Sequence, residues 1–367
     1  MNKLIISNLV HRPIRSLISI TAIAMEVTLI LVIVGLSLGM LNDSKRRQEG
    51  IGADVMVQPP GASGLGLLSS APVPVGVADK IRALKHVKAV TPIITQFNTA
   101  GTVEVLYGID LKSFEDVGGP LHYLEGRPFQ KPDEILVDDF FADYKKLHVG
   151  SKMELLNHTF TVSGIVEHGR GARKFFQLTA LQDLLGAQGK ASIFYVKADD
   201  PDNAQLVADE IKGIDGMQQY TVRTMREWLT LMTPDKVPGL GIFIQVVVGV
   251  AVVIGFIVIF QAMYTAVMER TREIGILKSL GASKAYIMNV VLRETALLSI
   301  AGIVLGVLIS AIAQRGLVQH FPTIRVELTG QWILNAVVIA LVGALLGAIY
   351  PAFKAAQKDP IDALAYE

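Results

Sequence analysis

Two adjacent carboxylate pairs, Asp138-Asp139 and Asp199-Asp200, are the groups in this sequence best suited to proton transfer, and His122, His158 and His168 are the nearest candidates for metal ligation. Paired carboxylates do acid–base work when their surroundings push their proton affinities apart. Both pairs fall among turn-forming residues and read as solvated turns. The three histidines lack metal-ligand spacing and read as surface or hydrogen-bonded side chains. GxxxxGK followed by Ser or Thr, HExxH and GxSxG are all absent, which excludes a phosphate loop, a zincin site and a nucleophile elbow. The sequence has no cysteine, so disulfides, thiolate metal sites and thiol catalysis are excluded as well. The expectation is no catalytic residue, no metal and no cofactor bound by this chain.

Two other places draw attention. Glu26 lies in the middle of a long apolar run. An ionisable side chain at that depth costs a few kcal/mol and is a functional candidate by default. It could face a dimer axis, a lateral cavity or a ligand such as haem, or it could hydrogen-bond a neighbouring helix. The second place is REIGILKSLGASK, Arg272 to Lys284, a polar stretch between two apolar runs. Positions 273, 276, 277 and 280 follow the helical i, i+3, i+4, i+7 pattern, and Ile276, Leu277 and Leu280 form an apolar face. Gly281 suits a helix stop and Ser283 the cap of the next helix. Docking on another protein and lying on a lipid surface both fit this pattern.

The elements that must position these residues follow from composition. The chain of 367 residues is 51% hydrophobic and 18% charged, against roughly a quarter charged in soluble domains. Its net charge of +1 gives no global attraction to nucleic acid. Four apolar runs reach the length of about 20 residues that a membrane-spanning helix needs. They are placed at 16–41, 240–268, 287–313 and 332–351. The first is longer than a signal-peptide core and has no AxA-like cleavage site, so it reads as an uncleaved anchor. Arg293 and Glu294, near the start of the third run, read as snorkelling to the interface. Gly302-x-x-x-Gly306 and Gly343-x-x-x-Gly347 offer small faces for close packing of the third and fourth spans. No span is lined with polar residues, which disfavours an ion-conducting pore.

Orientation follows the positive-inside rule. Lys3, Arg12 and Arg15, then Arg270, Arg272, Lys278 and Lys284, then Lys354 and Lys358 flank one side. This places both termini and the loop 269–286 in the cytoplasm and residues 42–239 outside, with a short external loop at 314–331 and a tail at 352–367. The large segment contains a faint repeat: Val77-Ala78-Asp79-Lys80-Ile81 recurs as Val207-Ala208-Asp209-Glu210-Ile211. Strand-like segments flank each copy. Two β-α-β halves, about 50–95 and 192–230, are expected around a β-rich insert at about 96–190. The stretch GASGLGLLSSAPVPVG reads as an irregular surface segment. The fold class is membrane α-helical, four transmembrane helices, with a large α+β extracytoplasmic domain between helices 1 and 2.

ERTREIGILKSLGASKAYI resembles the signature of the MacB/FtsX/LolC superfamily of ABC transporter permeases (type VII). NLVHRPIRSLISITAIA is similar to that family's N-terminal segment, an interfacial helix here at 1–15, and YPAFKAAQKDPIDALAYE to its C-terminal signature. The stretch from LEGRPFQKPDEIL to TVSGIVE looks like the family's periplasmic-core insert. The resemblance implies that Glu273, Ile276, Leu277, Lys278, Leu280 and Gly281 form or end a coupling helix that contacts an ATPase. Asp359, Pro360 and Leu364 belong to the C-terminal signature, where Asp359 could cap a short helix. It further implies a homo- or heterodimer of permeases in the plasma (inner) membrane, working with a separate P-loop ABC ATPase that binds ATP and Mg. A membrane-fusion adaptor or lipoprotein acceptor stays open as a further partner. The sequence starts at the interfacial helix, which implies a stand-alone subunit rather than one with the ATPase fused. The implied function is that of an exporter or extrusion machine that relays ATPase motion to the external domain by mechanotransmission. The alternative is an FtsX-like regulator that signals ATPase state to an external partner.

Overall fold

The computed structural model describes residues 13–61, 72–98 and 104–358. Most of the interfacial segment expected at 1–15, most of the Gly/Ser/Pro-rich stretch, and Asp359, Pro360 and Leu364 lie outside the described residues. The chain separates into two compact units. One comprises residues up to Leu38, Gly239–Gln319 and Val326 onward; the other comprises Gly39–Pro238 and His320–Arg325.

The first helix, α1 (Pro13–Glu49), is continuous for 37 residues. At about 1.5 Å per residue that is ~55 Å, well beyond a hydrocarbon core of about 30 Å. It outruns the apolar stretch because Asn42 to Glu49 is polar but helix-compatible, with Asp43 and Arg47 paired at i, i+4 (3.2 Å). The chain then runs through β1 (Val55–Gln58), β2 (Val73–Pro74), α2 (Val77–Arg82), β3 (Val87–Asn98), β4 (Glu104–Ile109), α3 (Leu111–Gly118), β5 (Tyr123–Gly126), β6 (Glu134–Asp138) and α4 (Asp139–Lys145). It continues with β7 (Lys152–Leu155), β8 (His158–Val166), β9 (Lys174–Gln177), α5 (Leu178–Leu184), β10 (Lys190–Ala191), β11 (Ile193–Ala198), α6 (Ala204–Gly213), β12 (Thr221–Thr224) and α7 (Met225–Leu231). Last come α8 (Leu240–Glu269), α9 (Thr271–Ser279), α10 (Lys284–His320) and α11 (Gly330–Gln357).

In the external unit one ten-stranded sheet runs β12-β1-β11-β3-β4-β9-β6-β8-β5, with β7 on β8. Its first four strands come from two β-α-β units that interleave: β1 lies between β12 and β11, and β11 lies between β1 and β3. This is the split β-α-β arrangement. The repeated helices α2 and α6 bury Ala78 and Ile81, and Val207, Ala208 and Ile211, against Val55, Val57, Phe194 and Val196. Strand alternation sends Met56, Ile193 and Tyr195 to the opposite face. There they meet Ile51, Phe114, Phe175, Met225 and Trp228, with half-buried Leu41 of α1. The long strand β3 leaves β11 at Ile93 and continues against β4, so it carries the sheet into the insert. The insert core is Phe141, Phe160, Val162, Phe176 and Leu181. The insert also holds the helices α3, α4 and α5.

In the other unit, α1, α8, α10 and α11 are each long and apolar enough to cross a membrane. Ala336, Ala340, Ala344 and Ala348 form a buried stripe at i, i+4 on α11. The small faces expected to join the third and fourth spans have other partners. An added Cβ at Gly302 would lie 2.7 Å from Ile23 Cβ, and one at Gly306 2.7 Å from the Ala24 carbonyl, so that face receives α1. At Gly347 it would lie 2.9 Å from the Phe256 carbonyl of α8. A small-residue spacing marks a close approach and carries no information about which helix approaches.

Candidate functional site

Arg270 ends α8, and its Nη1 lies 2.9 Å from Glu294 Oε2 on α10, with both side chains nearly buried. The snorkelling expectation therefore fails for Glu294. Adjacent residues on a helix do not share a face: Arg293 is exposed and bonds Asn289 (3.1 Å), whereas Glu294 turns inward to the Arg270 counter-charge.

The short helix α9 buries Thr271, Ile274 and Gly275. Ile274 packs with Val267, Ile287, Ala355 and Ala356, and Leu277 lies half-buried against the same cluster. Lys278 Nζ donates to the backbone carbonyls of Ala356 (3.0 Å) and Lys358. Those carbonyls end α11, where orphan acceptors and the helix dipole favour a cation. The apolar face read from the sequence is thus divided. Leu277 and Lys278 turn to their own chain, while Ile276 (45% exposed) and Leu280 (80% exposed) face away from it beside exposed Glu273. Two interleaved helical periods run through this segment, and sequence spacing does not say which one the chain covers itself. Gly281 adopts φ +96°, and the amides of Gly281 and Ala282 donate to the carbonyls of Lys278 and Leu277, both at 3.0 Å. Ser283 Oγ then accepts from Tyr286 N at 3.2 Å to open α10.

Glu26 is 7% exposed and faces α8, where an added Cβ at Gly255 would lie 1.9 Å from its Oε2. With glycine there the carboxyl lies against the α8 backbone, and a larger residue would make the Glu26 side chain shift. Glu26 Oε1 and Ser19 Oγ, on the same face of α1, are buried without a hydrogen-bond partner. Buried polar atoms without a partner are uncommon in folded chains.

In the external unit, the last turns of α1 are fastened by polar bonds. Arg173 Nη2 donates to Asp43 and its Nη1 to Asp138, both at 3.0 Å. Asp138 is no solvated turn: it is 1% exposed and caps α4 by accepting from Phe141 N at 2.7 Å. Burial pushes its carboxyl up to about 6, against the opposing pull of the Arg173 guanidinium. Asp139 next to it holds His168 at 3.0 Å. Asp199 is held down at about 2 by hydrogen bonds from Asn203 and His86. Gln48 bonds both lobes of the sheet, the insert through β4 and the interleaved strands through β11, donating to Tyr107 at 3.2 Å and accepting from Tyr195 at 2.7 Å. Burial, reinforced by Tyr107, raises the Tyr195 hydroxyl well above its usual range and keeps it a neutral donor. Gly171 N donates to the Arg47 carbonyl at 2.7 Å. Sequence reasoning missed Arg173, Gln48 and Tyr195. The one local signal for Arg173 is its place in the basic, glycine-rich stretch GRGARK. Among the described residues no group of three or more His, Asp or Glu could hold a metal. These clusters hold elements together, and none pairs a nucleophile with a base.

Comparison with known proteins gives two family matches. Residues 16–214 match the model of the MacB-like periplasmic core domain, and residues 245–360 that of the FtsX-like permease C-terminal region. The chain is 30% identical over 180 residues to the uncharacterized ABC transporter permease YknZ of Bacillus subtilis, an alignment covering 47% of this chain and 42% of that one. It is 23% identical over 397 residues to the uncharacterized ABC transporter permease YvrN of the same organism, with 96% of each covered. Among solved structures, the periplasmic region of MacB from Actinobacillus actinomycetemcomitans matches at a TM-score of 0.37 and 16% identity, over 49% of this chain and 92% of that one.

Proposed function

Because the chain belongs to the ABC transporter permeases that join a MacB-like periplasmic core domain to an FtsX-like permease region, we propose that it relays the motion of a separate ATPase subunit to its external domain by mechanotransmission. It is a multi-pass membrane protein with four spanning helices. In this reading both termini and α9 lie in the cytoplasm, a second permease copy completes the assembly, and ATP with Mg is bound and hydrolysed on the ATPase. The permease supplies docking surface and levers, and α1 carries displacement outward as one continuous helix.

The observation that carries the proposal is the two-sided character of α9. Ile274, Lys278 and the Arg270–Glu294 pair hold it to its own chain. Ile276, Leu280 and Glu273 are left free for a groove on the ATPase. Leu280→Asp tests this better than a change at Leu277, which also packs internally. A charge buried unpaired in an interface costs several kcal/mol. The variant should insert and stay folded yet lose the co-purifying ATPase; recovery of a stoichiometric complex sinks the docking role. Orientation is read with an impermeant maleimide in intact cells, which this cysteine-free chain permits. Ser151→Cys should label and Leu280→Cys should not, and the reverse pattern inverts the topology.

A further inference from the structure

Arg173 has a third acceptor. Besides Asp43 and Asp138, its Nη2 donates to the carbonyl of Thr323 at 3.1 Å. Thr323 lies in the short connection between α10 and α11, a segment that belongs to the external unit. One guanidinium therefore ties three segments far apart in sequence: the last turns of α1, the N-terminus of α4, and the 320–325 connection. Ring contacts follow the same lines. Arg325 lies 4.8 Å and Arg173 5.7 Å from the centre of the Phe140 ring. Phe140 stacks on His168 at 3.6 Å, and Tyr144 meets Phe321 at 6.1 Å.

The chemistry makes this junction hard to slip. A guanidinium presents five donors in a fixed planar fork, whereas an ammonium is a point charge that cannot span the same acceptors. Arg173 is 12% and Asp138 1% exposed. Parting them would leave buried charge uncompensated, which is far more costly than parting a surface pair. The apolar insert core is centred on Phe141, Phe160 and Phe176, and residues 320–325 are not part of it.

We propose that Arg173 is a positioning residue that makes the α10–α11 connection a second handle on the insert, acting on α4 alongside α1. This rests on the relay reading above. Under it, displacement of the last two membrane helices reaches the insert directly through Thr323 and Arg325, and the two lobes of the external domain move by different amounts.

The test uses the full chain with its co-purifying ATPase in lipid nanodiscs. Spin labels are placed at Lys80→Cys on α2 and Lys145→Cys on α4, one in each lobe. Their separation is measured without nucleotide and with Mg-ATP and vanadate. With Arg173 intact the distance distribution should shift on nucleotide trapping. In Arg173→Lys and in Arg325→Gln the shift should fall by half or more, with the ATPase still bound and hydrolysing. Arg325→Gln removes a ring contact rather than a nearly buried charge, so it decides the matter if Arg173→Lys lowers the melting temperature. A full shift in both variants overturns the positioning role alone. No shift in the parent chain, with ATPase bound and active, overturns the relay reading and this inference with it.

Discussion

At Glu49 the first helix ends among nearly buried carboxylates, guanidinium groups and tyrosine hydroxyls, while at Ser279 the short helix α9 ends on an exposed leucine with isoleucines and alanines behind it. Both are helix ends on which a relay would depend, and they are held by different forces. Directional bonds from Arg173, Gln48 and the Gly171 amide admit one arrangement. The cluster of Ile274, Ile287, Ala355 and Ala356 is small and non-directional, pinned by Lys278 on one side and by Arg270–Glu294 at its start. The polar junction suits a joint that keeps its geometry under load. The apolar one suits a surface that must accept a partner and release it.

Three substitutions would break or sharpen that contrast. The largest effect belongs to Gly50→Val. An added Cβ at Gly50 would lie 1.8 Å from the Gly169 carbonyl oxygen, and backbone cannot yield as a flexible side chain does. Destabilisation of the external domain should exceed ~4 kcal/mol, visible as lost cooperative thermal unfolding and rapid proteolysis after α1. Parent-like melting would mean the end of α1 is held more loosely than the junction implies.

Glu294→Leu comes next. It strands the Arg270 charge, and breaking a buried pair from one side costs about 3–5 kcal/mol. Denaturant unfolding in detergent should show that loss, and adding Arg270→Leu should restore most of it. Equal stability in all three proteins would make the pair ornamental and leave α9 held by the apolar cluster and Lys278.

The smallest effect is a pH dependence at Asp138. Its carboxyl is raised to about 6 from an ordinary 3.8, so the folded domain holds that proton more tightly than the unfolded chain does. The raised affinity favours folding at acid pH, and the advantage is lost as pH rises from about 4 through about 6. Asp138→Asn cannot ionise. Measured against the parent, it should gain about 2–3 kcal/mol between roughly pH 4 and pH 7, at ~1.4 kcal/mol per tenfold change in proton affinity. Parallel stability curves would mean that Arg173 and Arg47 offset the desolvation in full.

What the sequence made legible was local. The four membrane helices are evident from run length and hydropathy. An α+β domain between the first and second is evident from alternating strands and from the short repeat that became α2 and α6. Strand β9, KFFQ, has four residues and no alternation to betray it. The Arg173 junction depends on partners 130 and 150 positions away in the chain, and no spacing rule reaches that far. The division of the α9 face was hidden for a related reason. Residues 271, 274, 275 and 278 are as helically spaced as 273, 276, 277 and 280, and the ends of α8, α10 and α11 together decide which side is covered.

The interleaving of β1, β11, β3 and β12 also governs the order in which a new chain can fold. Val55 pairs with both Val196 and Thr224, so the first β-α-β unit has no strand to close on until the second is made. At about 5–20 residues per second, the ribosome needs roughly ten to thirty seconds to go from β1 to β12. Through most of that interval β1 waits unpaired, and β3, already paired with β4, keeps its other edge open until β11 is made. The Thr323 carbonyl that completes the Arg173 junction arrives later still, behind α10. The strands of the sheet are complete by Thr224, whereas the full Arg173 junction cannot form until the third membrane helix has been made.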